Sequence, residues 1–448
     1  MNARAMERLM GAGMGTVEAE RKAKLFERAL LILERWGETR ASSQTRLYVP
    51  GRIEALGKHT DYAGGRSLLC PVERGVCVVA SRRRDQLFRI ADAVREQECQ
   101  FALSSDLDAA SEDWSVYPKT VARRVARNFG GSLRGVDIVF ASDLPHSAGL
   151  SSSSALVVAT FLALRETNDL IQHPAYRSSI ATGEDLATYL GCVENGQSFR
   201  ELSGDAGVGT FGGSEDHTAI LCCRAGFLTQ FRFCPVRFER EVLLPTDSVF
   251  IIGVSGVASD KTGSARAKYN RVSLAAKTIL AIWNGASGRS DPTLFDAAAH
   301  APDAPDRIRL LLRKSSHSSY PGQVLLDRFE QFLNESTCYV PRAADALARN
   351  ELEEFGKWVD RSEASAEQHL GNQITETAEL ARSARALGAI AASAFGAGFG
   401  GSVWAMMQSN TAADFLNCWK EHYHRRFPDR AESSEFFVSG AGAPAVLF

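Results

Sequence analysis

The chain has 448 residues, 45% of them hydrophobic and 23% charged, the composition of a globular protein long enough for two domains. Its formal net charge of −2, with basic residues dispersed along the sequence, argues against nucleic acid or an acidic membrane as the main partner. No apolar run approaches the roughly 18 residues of a membrane span, and the nine cysteines show no C-x-x-C pair or zinc spacing, so reduced thiols and a cytoplasmic location are expected.

Residues 1–15 lack a signal-peptide core and are expected to fray. Apolar residues at helical spacing predict a first helix over 17–36. A short strand at 46–50 leads into a glycine-bearing loop, 51–65, and strands are expected at 75–81 and 87–91. Residues 104–113 read as an acidic surface loop, and 114–129 as a helix with Arg123, Arg124 and Arg127 on its outer face. A strand over 136–142 feeds Pro145-His-Ser-Ala-Gly-Leu-Ser-Ser-Ser-Ser-Ala155, and a buried helix follows through 156–164. Beyond polar residues 165–180 come a helix at 181–195, a glycine-rich loop at 203–214, and a hairpin over 219–232 that turns at Ala225-Gly226. Cys222 and Cys223 read as strand residues within it.

A boundary near Pro245 divides a first domain, 17–242, from a second, 243–448. The second begins with a buried strand at 248–254 and an amphipathic helix at 264–284, then a loop insert over 285–305. Helices are predicted at 323–334, 339–358 and 375–388. Gly396-Ala-Gly-Phe-Gly-Gly401, a strand at 402–407, a helix at 411–425 and a strand at 434–440 complete the order.

The serine-rich segment carries the clearest chemistry. Gly149 permits a tight turn, the serines suit a helix N-cap, and a helix start offers free N–H groups and a positive dipole end to a phosphate. Two other glycine motifs fail as familiar nucleotide signatures. Gly396-x-Gly-x-x-Gly401 has a helix before it and a strand after it, the reverse of a dinucleotide fold. Gly51-x5-Gly57-Lys58-His59 has one residue too many for a P-loop, and His where Ser or Thr must meet magnesium.

Taken together, Pro50-Gly-Arg-Ile-Glu-Ala-Leu-Gly-Lys-His-Thr-Asp-Tyr-Ala-Gly-Gly65, the serine segment and Gly396–Ser402 resemble, in order and spacing, the three motifs of the GHMP small-molecule kinases. The first is most similar to the galactokinase signature, P-G-R-V-N-L-I-G-E-H-T-D-Y-N-G-G. Trp114 with Tyr117, and Ala265-x-x-x-Tyr269-Asn270-Arg271, also resemble galactokinase residues. The resemblance implies a two-domain α+β GHMP kinase fold. Its N-terminal domain would be like the second domain of ribosomal protein S5, and its C-terminal domain ferredoxin-like. It further implies a sugar kinase that uses ATP and Mg2+ to phosphorylate the anomeric hydroxyl of galactose or a related hexose.

Site residues follow by position. Asp216, in Gly213-Ser-Glu-Asp-His217, resembles the catalytic aspartate, and Arg52 the arginine beside it. Pro145, Ala148, Gly149, Leu150, Ser151, Ser152, Ser153, Ser154 and Trp114 would hold ATP, with Ser153 and Glu194 on the magnesium ion. Lys58, His59, Asp61, Gly213, Asp216, Tyr269 and Gly398 would line the sugar. Phosphoryl transfer suits these types: a carboxylate to orient the attacking hydroxyl and a guanidinium to neutralise spreading charge.

The sequence departs from the galactokinase pattern around the sugar. Lys58 replaces a glutamate, which would suit an acidic sugar such as galacturonate, or Lys58 is simply paired with Glu54, itself in place of an asparagine. His217 replaces a glutamine, Glu215 adds a negative charge beside Asp216, Ser147 replaces a glycine, and about a dozen residues are inserted at 196–207. A sugar- and ATP-binding regulator without turnover is the alternative of another class.

Overall fold

The structure is a computed structural model that describes residues 3–37, 44–111, 113–131, 133–259, 266–315 and 317–448. Ala265 lies outside them. The strands are β1 Gln44–Leu56, β2 Arg66–Arg82, β3 Leu87–Asp92, β4 Gln97–Ala102, β5 Val136–Ser142, β6 Phe227–Arg232, β7 Arg237–Leu243, β8 Ser248–Val254, β9 Ala391–Phe395, β10 Ser402–Gln408, β11 Glu435–Ser439 and β12 Val446–Leu447.

The first sheet runs β12-β1-β2-β5-β3-β4, with the β6–β7 hairpin joined to β2. The second, all antiparallel, runs β11-β8-β10-β9, the 4-1-3-2 order of a ferredoxin-like split β-α-β-β-α-β unit. The chain passes from one sheet to the other between Leu243 and Ser248, and β12 returns to pair with β1. This is the two-domain α+β arrangement that the resemblance implies. One cluster of buried side chains spans both sheets, from Val78 and Phe140 to Phe250, Trp404 and Phe437. No helix among the described residues is long and apolar enough to cross a membrane.

Helix Ser152–Thr167 is buried along most of its length because the first sheet covers one side and helices Val116–Phe129 and Gly183–Asn195 the other. That explains an apolar run with no polar stripe. Several expectations are corrected. Residues 3–11 form a helix whose Leu9 is fully buried, instead of a frayed end. The loop expected from Gly51 is strand: β1 continues to Leu56 through a register shift between Pro50 and Arg52. Pro50 has no N–H for the ladder, so an irregularity there is where a strand tolerates it, and it re-aims Arg52.

Residues 215–222 are helical, so Cys222 closes a helix and Cys223 caps it, and the true hairpin is β6–β7. The supposed insert at 285–305 holds helix Leu294–Ala299 and the start of helix Ala304–Lys314, which surround Trp283 with Phe329 and Leu312. The helix expected at 339–358 is two, Val340–Ala348 and Leu352–Ser365. Arg124 is buried, not outward: with Arg123, Arg127 and Asn128 it holds the extra segment 196–207 through Asp205 and the carbonyls of Gln197, Ser203 and Gly204.

Candidate active site

Three backbone segments, far apart in sequence, meet without side chains between them. A Cβ on Gly51 would lie 2.5 Å from the Leu150 carbonyl oxygen, and one on Gly396 would lie 2.9 Å from that of Gly149. The Ser402 hydroxyl donates to Ala148 O at 2.6 Å, and the Arg52 N–H to Leu150 O at 3.2 Å. The glycines are therefore required by close approach, which draws all three motifs around one point.

At that point Arg52, 2% exposed, donates from Nε to Asp216 Oδ1 at 2.8 Å and from Nη1 to Gly149 O at 2.6 Å. Burial alone would lower its pKa, but Asp216, Glu54 and Glu215 together raise it. Asp216 stands in the first turn of helix Glu215–Cys222, where the dipole favours a carboxylate. Its Oδ2 accepts the Ser154 hydroxyl at 3.2 Å, and the same hydroxyl lies 2.9 Å from Glu194 Oε2. His217 Nε2 approaches that Glu194 oxygen at 3.2 Å.

Two clefts flank this constellation. The larger, about 520 Å³, is lined by Trp114, Tyr117, Phe140, Ser147, Gly149 and the hydroxyl-bearing Ser151, Ser152 and Ser153. Contrary to the expected cap, Ser151 sits at the helix start with φ 59° and makes no side-chain cap bond. Its buried Oγ has no hydrogen-bond partner among the described residues, and the loop before it bends through left-handed Ser147 and Gly149. A polar atom of that kind beside free helix N–H groups fits a phosphate oxygen. Pro145, Ala148 and Leu150 do not line this cleft; Ala148 and Leu150 are buried beneath it.

The smaller cleft, about 40 Å³, is lined by Arg52, Asp216, Ser154 and Glu194 with His59, Asp61, Gly213 and Tyr269. His59 bonds Tyr62 and the Ala397 carbonyl, while Asp61 accepts the Glu215 N–H at 3.2 Å. Gly213 is obligatory here, since a Cβ would lie 2.3 Å from Asp61 Oδ2. A space of this size holds a water or two, so a larger molecule requires the wall to move. That wall is loop 204–213, fastened to helix Arg266–Ser287 by Asn270, which accepts from Phe211 N–H and donates to Gly209 O, both at 2.9 Å.

Two expected residues lie elsewhere. Lys58 is turned away: its Nζ, 1% exposed as a residue, donates to Ser393 Oγ at 2.6 Å and lies 3.4 Å from Glu363 Oε2. It is paired neither with a pocket ligand position nor with Glu54, because the buried polar groups of the second domain draw it in. Gly398 is likewise engaged behind the pocket, its carbonyl accepting from Ser259 and its Cα against Asn372, while Gly396 and Ala397 face the cleft. Ser154, rather than Ser153, carries the hydroxyl on Glu194. Sequence reading passed over Glu54 as a pocket group, gave Ser154 to ATP alone, and did not single out Ser67, whose hydroxyl donates to Glu215. Glu54 and Glu215 were visible as departures from pattern, but Ser67 gave no signal.

Known proteins fit this architecture. Residues 116–190 match the GHMP kinases N terminal domain, 343–425 the GHMP kinases C terminal domain, and 40–82 the galactokinase galactose-binding signature. The chain is 27% identical over 380 residues to a galactokinase of Roseiflexus sp. (strain RS-1), covering 84% of this chain and 86% of that one. It is 28% identical over 402 residues to a galactokinase of Chloroflexus aggregans, covering 89% and 92%. The crystal structure of Lactococcus lactis galactokinase complexed with galactose superposes with a TM-score of 0.76 at 20% identity, covering 93% of this chain and 98% of that one. Methanococcus jannaschii mevalonate kinase shares the fold more distantly, with a TM-score of 0.52, 11% identity, and 90% and 99% covered. Fold and site thus define an ATP-dependent phosphotransferase of small molecules, and the chain carries matches to both the N-terminal and the C-terminal domains of the GHMP kinases. It is a sugar kinase of galactokinase-like type.

Proposed function

We propose that the protein transfers the γ-phosphoryl group of ATP to the anomeric hydroxyl of galactose or a closely related neutral hexose. The observation that carries this reading is the Arg52–Asp216 ion pair, set where the serine-lined helix start meets the smaller cleft. The larger cleft would take ATP, with the adenine beside Trp114 and the phosphates at Ser151–Ser153. The sugar would enter beneath loop 204–213 among His59, Asp61, Gly213 and Tyr269.

Asp216 orients the attacking hydroxyl and accepts its proton, and Arg52 fixes Asp216 and offsets charge on the phosphoryl oxygens. Glu194 with Ser153 or Ser154 supplies the oxygen donors a hard divalent cation takes, so Mg2+ fits at that edge of the site. When bound, magnesium would neutralise phosphate charge.

An acidic sugar is disfavoured. Lys58 does not reach the cleft, whose carboxylates Glu54, Asp61, Glu194, Glu215 and Asp216 outnumber the Arg52 cation. ADP release measured against galactose, arabinose, N-acetylgalactosamine and galacturonate tests the proposal. Turnover of the neutral sugars, with galacturonate the poorest, is expected. Binding of ATP and sugar without ADP release would overturn it in favour of a regulator.

A further inference from the structure

Two glutamates beside the Arg52–Asp216 pair have so far counted only as negative charge in the smaller cleft. Glu54 lies on β1, two residues beyond Arg52, and Glu215 directly precedes Asp216; they are 3% and 6% exposed. Each has one oxygen engaged conventionally. Glu215 Oε2 accepts the Ser67 hydroxyl at 2.7 Å. Glu54 Oε2 accepts the Gly396 N–H at 3.1 Å and stands 3.8 Å from Arg52 Nη2. Glu54 Oε1 is buried with no N–H or hydroxyl donor on it among the described residues, and Glu54 and Glu215 line the same small cleft. Two carboxyls hydrogen-bond to each other only when one of them carries a proton.

We propose that Glu54 and Glu215 share a single proton and that this pair positions Arg52 for phosphoryl transfer. The proposal rests on the kinase reading. With Asp216 on Nε, Gly149 O on Nη1 and Glu54 beside Nη2, the guanidinium plane is fixed on three sides. The groups facing the pair are Arg52 and Lys58 from β1 and the turn after it, Asp61 from the same turn, and Asp216 from the helix start. Burial drives Glu54 up to about 7 against the pull of Arg52 and Lys58, and burial with Glu54 and Asp61 drives Glu215 well above the usual carboxylate range.

While the proton is held, the pair carries one negative charge. Losing it places a second beside Asp216 and the incoming phosphates, and draws Arg52 away from Asp216. Turnover should therefore fall as pH rises through the last titration of the pair.

The test is the pH profile of kcat for the unaltered enzyme, Glu54→Gln and Glu215→Gln. The unaltered enzyme should lose activity above neutrality, by about tenfold per pH unit beyond the midpoint. Each glutamine variant, unable to gain the second charge, should lack that limb. Identical alkaline limbs in all three folded proteins would overturn the proposal. Should the variants not fold, infrared spectra of the unaltered protein labelled with 13C-glutamate decide. A protonated glutamic C=O band that persists at pH 6 and fades over the same range as kcat supports the pair, and its absence at pH 6 overturns it. The band reads the shared proton even if no sugar is phosphorylated, so failure of the kinase reading remains distinguishable.

Discussion

Asp216 has a guanidinium on one oxygen and a serine hydroxyl on the other, so little besides its charge distinguishes it from asparagine. Asp216→Asn should lower kcat by about 10²–10⁴-fold, the usual worth of a positioned base, while the melting temperature moves by no more than a few degrees. A coupled ADP assay and a thermal melt on one preparation check both. Lys58 is the opposite case. Lys58→Glu would put a third carboxylate against Glu335 and Glu363 and leave Ser393 without its donor. A loss of about 3–5 kcal/mol in urea unfolding is expected, with sugar preference unchanged in the folded fraction. Arg52 and Asp216 were singled out in the sequence by the motifs they resemble, and the structure pairs them. The direction of Lys58 was not legible, because Ser362 and Ser393, more than 300 positions later, set it.

Elements follow the same division. The helix Ser152–Thr167 and strand β5 were readable because an apolar run and an alternating run are self-contained patterns. β1 was misread at Gly51, where a glycine that normally signals a turn serves close packing inside a strand. Gly51→Ala tests that: its methyl would meet Leu150 O at 2.5 Å and the Leu144 side chain at 2.7 Å, forcing the serine segment outward. We expect a stability loss of about 1–3 kcal/mol and a KM for ATP raised more than that for sugar, read from denaturant curves and two-substrate kinetics. The helix 215–222 was missed because eight residues give too short a period, and its start is set by Asp61 accepting the Glu215 N–H.

For the molecule as a whole, the buried glutamates make stability depend on pH. Glu54 is raised from 4.5 to about 7, so the folded state holds a proton that the unfolded chain releases. Stability from this group is complete below about pH 4.5 and is lost as pH rises to about 7, a change on the order of 3 kcal/mol that Glu54→Gln should flatten in urea midpoints taken at pH 5 and pH 8. The single core shared by both sheets was not readable from the sequence, since it depends on contacts between distant strands. The segment 440–448 illustrates this. It bonds back to Pro71, Ile220, Gly226 and Arg46, and Phe448 stacks edge-on against Phe26. Removing residues 440–448 should therefore destabilise the first domain more than the second, seen as faster amide exchange in β1 and β2 than in β8 and β10.

The return of β12 to β1 also governs the order in which the protein matures during translation. The outer margin of β1 stays open until residues 446–447 have left the ribosome, so the first half of the chain cannot finish before the second is made.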